Sequence, residues 1–161
     1  MWSTVGTFFL FALVLVAPTD AKDLTVEMKP PKNLSRVATL RITEGKHAST
    51  KKIIERGKWN VDQLRQALTS RLRAHTSGFF GDGNELTLEY RITGFSWALG
   101  RVVDIGVDVS FRDARGNEVG IISVGRLEVV DDSLDRAVEG LIDWVARNIA
   151  KYAKQNYGIK K

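Results

Sequence analysis

From Glu85 onward the chain keeps a period of two, and this constrains its fold more than any other feature. Leu86, Leu88, Tyr90 and Ile92 alternate with Thr87, Glu89, Arg91 and Thr93, as in a strand with one face buried. The segment 94–100 (GFSWALG) interrupts that strand or links it to the next. The alternation returns over 101–112, with Val103, Ile105, Val107, Val109 and Phe111 facing one way and Asp104, Gly106, Asp108 and Ser110 the other. The run 113–117 (DARGN) has the residues of a hairpin turn, and 118–129 returns as a third strand, weakened or bulged at Gly120 and Gly125. Three strands joined by short turns predict an antiparallel meander, which must bury its apolar face against another layer.

Two helices supply that layer. Asn60 can cap a helix and Gln63 can complete a capping box. Val61, Leu64, Leu68 and Leu72 then form an apolar stripe over about 61–75. Asp131, Asp132 and Ser133 offer caps for a second helix from about 134 to 152 or beyond, with Val138, Leu141, Ile142, Val145 and Ile149 on one face. Ahead of these, Leu24, Val26 and Met28 alternate as an edge strand before Pro30-Pro31, and 36–43 reads as a strand with Ala38, Leu40 and Ile42 on one side. The polar stretch 44–59 reads as a solvated connection anchored by Ile53-Ile54. The expected fold is α+β. It has a mainly antiparallel sheet of four to five strands, two helices packed on one face, and the order β(β)-α-β-β-β-α. The opposite face, carrying Glu89, Arg91, Asp104, Asp108 and Ser110, is expected to be wet.

The first residues set the address. Residues 5–17 (VGTFFLFALVLVA) are apolar and uncharged; they are short for a bilayer span, which needs about 20 residues, but suit the h-region of a secretory signal. Thr19 and Ala21 occupy the small-residue positions for cleavage before Lys22. The expected organisation is a signal peptide over 1–21, an N-terminal extension or edge strand over 22–35, one α/β domain over 36–157 and a basic tail over 158–161. The expected location is periplasmic or secreted. A membrane is a partner only if the N-terminal segment stays uncleaved.

With 161 residues, 43% of them hydrophobic and 27% charged, the chain has ordinary globular composition for one domain. It has no cysteine, which excludes disulfides, thiolate catalysis, Cys-ligated zinc and lipid attachment through cysteine. Its two histidines, His47 and His75, lie in no metal-binding spacing, and there is no G-x-S-x-G elbow or phosphate-cradling GK[ST]. The run 81–85 (GDGNE) lacks the register of a calcium loop. No catalytic site, metal or cofactor is expected.

Two binding surfaces are candidates. Phe79, Phe80, Phe95 and Trp97 lie in predicted connections, and with Arg101 they would make a partner patch if they cluster at one sheet edge. The alternative is that these aromatics plug the ends of the core. Lys46, Lys51, Lys52, Arg56 and Lys58 form a basic segment in a chain of formal net charge +5.

The helix ending before Gly78-Phe79, the run LTLEYRITGFSWALGR and the run VDVSFRDARGNEVG with its D-x-x-G-N turn resemble a bacterial exported domain of unknown function, number 4410 in that series. The resemblance spans 64–127 and extends in architecture to the N-terminal domain of TolB and to curli-secretion and penicillin-binding-protein-activator lipoproteins. It implies an exported, non-enzymatic binding or accessory module of the cell envelope, partnered by an envelope protein or by itself, and carries over no catalytic residue. Two other readings stay open: a periplasmic enzyme with an unrecognised site, and a polyanion binder using Lys46–Lys58. Nucleic acid is not an expected partner.

Overall fold

The computed structural model describes residues 22–29, 37–44, 52–53, 58–77, 84–98, 102–129 and 133–158. The expected leader and residues 159–161 lie outside them. The elements are β1 (Lys22–Lys29), β2 (Val37–Glu44), β3 (Lys52–Ile53), α1 (Val61–Thr76), β4 (Asn84–Ala98), β5 (Val102–Asp113), β6 (Glu118–Val129) and α2 (Leu134–Tyr157).

The meander β4-β5-β6 is antiparallel, as its periodicity predicts. Asp113 organises the β5–β6 hairpin. Its Oδ1 accepts from the backbone N–H groups of Arg115 at 2.9 Å and Asn117 at 2.8 Å, and Gly116 takes the positive φ of 80° that the turn needs. The two N-terminal strands flank this meander on opposite sides, giving the order β1-β6-β5-β4-β2.

The sheet is mixed, which corrects the mainly antiparallel expectation: β1 runs antiparallel to β6, but β2 and β3 both run parallel to β4. The reason lies in the connection. α1 stands between β3 and β4, and a helical crossover carries the chain back to the end where it started, so the flanking strands run the same way. The element order also differs, because Lys52-Ile53 inside the predicted connection pairs with Gly94-Phe95.

β4 does not stop at Thr93. The register shifts between Ile92 and Gly94, and this extra residue reverses the parity of the strand. Before it, even-numbered Leu86, Leu88, Tyr90 and Ile92 are buried; after it, Phe95 is buried and Trp97 packs against the core. The strand therefore continues to Ala98 with its apolar side still inward.

Both helices cover that inward face. Asn60 Oδ1 accepts from the Gln63 N–H at 2.9 Å to start α1, and Leu64, Leu68, Leu72 and Thr76 make its buried stripe. Thr76, the one buried polar residue among those described, donates its hydroxyl to the Leu72 carbonyl at 2.7 Å. α2 buries Val138, Leu141, Ile142, Val145, Ala146 and Ile149 together with β5 and β6. At its C-terminal end Tyr152 and Tyr157 pack on Phe111, with centroids 5.4 and 5.1 Å away. Tyr157 donates to the Val119 carbonyl at 3.2 Å.

Candidate functional site: a groove on the open sheet face

The opposite face of the sheet carries no helix among the described residues, and its side chains stand in rows fixed by strand register. In one row Gly94, Gly106 and Gly125 lie side by side on β4, β5 and β6, with Leu24 of β1 next to Gly125. At 4.7–4.9 Å between strands, this row is a floor about 14 Å across from which three side chains are missing. On one side stand Ser96, Asp104 and Leu127, also in register. On the other stand Arg91, Asp108, Ser123 and Val26. The result is a groove of about 570 Å³ lined by these glycines, Leu24, Thr93, Ser96, Asp104, Ser123 and Leu127.

Its chemistry is apolar at one end and polar at the other. Leu24 (54% exposed), Val26 (43%) and Leu127 (37%) are the exposed large hydrophobic residues of the described chain, and all three border this groove at the β1–β6 edge. Toward β4 the Ser96 hydroxyl donates to Asp104. The charges on this face are matched across strands: Arg91 to Asp108 at 2.9 Å and Arg112 to Glu89 at 3.0 Å. Ser110 donates to Glu118 at 3.1 Å. The face expected to be wet is thus only half-exposed at Glu89, Arg91, Asp104, Asp108 and Ser110.

Two of the aromatic residues named from sequence fall among the described residues. Phe95 is 1% exposed inside the core, and Trp97 is partly buried against it. Phe79, Phe80 and Arg101 lie outside the described residues. Of the basic segment, Lys46, Lys51 and Arg56 also lie outside them, and Lys52 is placed only as backbone of β3.

Lys58 is a tether. Its ammonium sits 3.1 Å from Asp135 and 3.4 Å from Glu139 at the start of α2. The hydrogen bond to Asp135 holds its pKa above the usual lysine value, and Lys58 in turn holds the Asp135 carboxyl below the usual range. Beside it Trp59, 4% exposed, donates Nε1–H to Asp135 at 2.8 Å. Trp59 had a readable signal: it immediately precedes the Asn60 cap, with Leu64 on the fourth helical residue, the two positions of a hydrophobic staple.

His75 bridges the helices. Its Nε2 is 2.8 Å from Asp143 Oδ1, and the same carboxylate receives Arg147 of α2 and lies 3.8 Å from Arg71 of α1. Hydrogen bonding from His75, then from Arg147, pushes the Asp143 pKa below the usual carboxylate range. Neither His75 nor Asp143 lines the groove. Among the described residues no cluster of three or more His, Cys, Asp or Glu side chains could hold a metal ion, and no helix is long and apolar enough to cross a membrane.

These features define an α+β domain whose mixed sheet is covered by two helices on one face and grooved on the other. Solved structures of this kind exist. The chain is similar to a PelC variant dodecamer from Paraburkholderia phytofirmans (TM-score 0.50, 12% identity, covering 81% of this chain and 98% of that one). It is similar to a protein described only as uncharacterized (TM-score 0.50, 18% identity, 77% and 95%). A minor lipoprotein from Acinetobacter baumannii aligns at a TM-score of 0.38 with 13% identity, over 74% of this chain and 97% of that one. At these identities the first two likenesses show a shared fold. No family model and no curated protein sequence matches the chain.

Proposed function

We propose that the chain is an exported accessory module of the bacterial cell envelope that works by binding, with the open sheet face as its contact surface and a second copy of itself as the occupant. One observation carries this reading. Leu24, Val26 and Leu127 stay exposed around a glycine floor on a helix-free sheet face, while Arg91, Asp108, Glu89 and Arg112 on the same face are paired within it. Covering such a face removes apolar surface from water at about 25 cal/mol per Å² and leaves those four charges paired. The choice of occupant is supported by the PelC neighbour, which is a dodecamer. Export is supported by the apolar run 5–17 with its small residues before Lys22, and by the resemblance of 64–127 to the exported domain of unknown function and its envelope relatives. Action by binding, not catalysis, is part of the same proposal.

The absence of cysteine makes the test direct, because Val26→Cys creates a unique thiol. A bis-maleimide reagent applied to cells producing Val26→Cys should yield a species of twice the chain mass in the envelope fraction. Adding Leu127→Glu should abolish that species without loss of folded protein by circular dichroism. A product of monomer mass only, or full-length chain in the cytosol with Met1 attached, would overturn the proposal.

A further inference from the structure

A second cleft lies on the helical side of the molecule, remote from the glycine floor. On α1, Arg65, Thr69 and Arg73 follow at i, i+4 and i+8, with Gln66 and Ser70 one residue further on, so the five share a strip of helix surface. Together with Tyr90 of β4 they line a cavity of about 420 Å³. Its lining holds two guanidinium groups, one side-chain amide and three hydroxyls, and no carboxylate.

The floor of the cleft is fixed. Tyr90 is 1% exposed, its ring sunk in the core, and its hydroxyl donates to the Arg65 carbonyl at 3.2 Å. Thr69 Oγ1 lies 2.7 Å from the same hydroxyl. With the Tyr90 proton on the Arg65 carbonyl, Thr69 donates to Tyr90 in turn, so this pair pins α1 to β4 and leaves Gln66, Ser70 and the two arginines as the donors open to a ligand. The arginines stand at its two ends, eight residues and about 12 Å apart along the helix axis, with the neutral donors Gln66 and Ser70 between them.

The charge balance of α1 points the same way. Its acidic residue, Asp62, is ion-paired to Arg65 at 3.3 Å and lies outside the cleft lining. Arg71 turns to Asp143 across the helix pair. Arg73 lines the cleft with no ion-pair partner among the described residues.

We infer that this cleft is a binding site for a small oxyanion, a phosphate or carboxylate group, held by Arg73 and Arg65 through charge-assisted hydrogen bonds, with the Gln66 amide and the Ser70 hydroxyl as the neutral donors between them. The site is separate from the open sheet face and stands whether or not that face binds a second copy. It is also distinct from the Lys46–Lys58 segment, whose Lys58 is engaged with α2.

The test is the melting temperature of the full chain titrated with inorganic phosphate or with citrate, since a ligand of the native state stabilises it in proportion to ln(1 + [L]/Kd). Arg73→Gln and Ser70→Ala are compared with wild type and with Arg136→Gln, an exposed α2 change of equal charge away from the cleft. Phosphate and citrate, as excluded co-solutes, stabilise all four proteins to some degree, so the readout is the difference between them. Wild type and Arg136→Gln should show the larger rise, and Arg73→Gln should bind about tenfold more weakly, the loss of one charge-assisted contact. Ser70→Ala should fall between. An excess rise with phosphate but not citrate assigns phosphate, an excess with citrate but not phosphate assigns carboxylate, and an excess with both assigns the oxyanion class. Equal rises in wild type, Arg73→Gln and Arg136→Gln would overturn the site.

Discussion

Asp143 carries more interactions than its place on a helix surface requires. Its carboxylate faces His75 and Arg71 from α1 and Arg147 from its own helix, and it is only 22% exposed. Its folded pKa is depressed, chiefly by the His75 hydrogen bond. The unfolded chain therefore binds a proton before the folded one does, so this carboxylate stabilises the fold above the ordinary carboxylate range and loses that contribution as pH falls through its folded pKa. Asp143→Asn should lower stability near neutral pH and flatten the acid limb of the stability profile. Urea midpoints measured from about pH 7 to about pH 3 check this; parallel profiles for the two proteins would contradict it. The partnership was hidden in the sequence because His75 and Asp143 are far apart along it and neither lies in a motif. Only the packing of α1 against α2 brings them together.

Among the elements, the central strands show how much of the groove depends on missing side chains. A Cβ on Gly106 would meet Thr93 Oγ1 at 2.8 Å, whereas a Cβ on Gly94 meets nothing within 4 Å. Gly106→Ala should therefore cost about 1–3 kcal/mol, the usual penalty of overpacking, while Gly94→Ala should leave stability within about 0.5 kcal/mol. Chemical denaturation of the two variants separates them, and equal effects would mean the Thr93 contact is relieved without cost. Period two made these strands legible from Leu86 to Val129, and period 3.6 did the same for both helices. The parity change after Ile92 was not legible. Gly94 is equally consistent with a strand end and with a bulge, and reading it as an end put Phe95 and Trp97 in a connection when the strand in fact carries them inward. The parallel pairings escaped for a different reason: alternation reports which side of a strand is buried and says nothing about which neighbour it chooses.

At the scale of the whole molecule, the sheet joins strands that are far apart in the chain. β1 pairs with β6 over seven positions between Lys22↔Leu127 and Lys29↔Ile121, and without it the β6 edge would present unpaired N–H and C=O groups. Deleting residues 22–29 should destabilise the domain by about 2–4 kcal/mol, from hydrogen bonds worth a net ~0.5–1.5 kcal/mol each less the chain entropy regained, and should promote self-association through the bared edge. Thermal melts with light scattering test both effects; unchanged melting and scattering would show that β1 is dispensable.

The pairing of Lys22 with Leu127 also sets a timetable. A polypeptide emerging amino end first, from a ribosome or through a narrow pore, exposes β1 early but must wait for residues 121–127 before that strand meets its partner. Until then the β-layer lacks its last pairing, and its closure waits on the third strand of the meander.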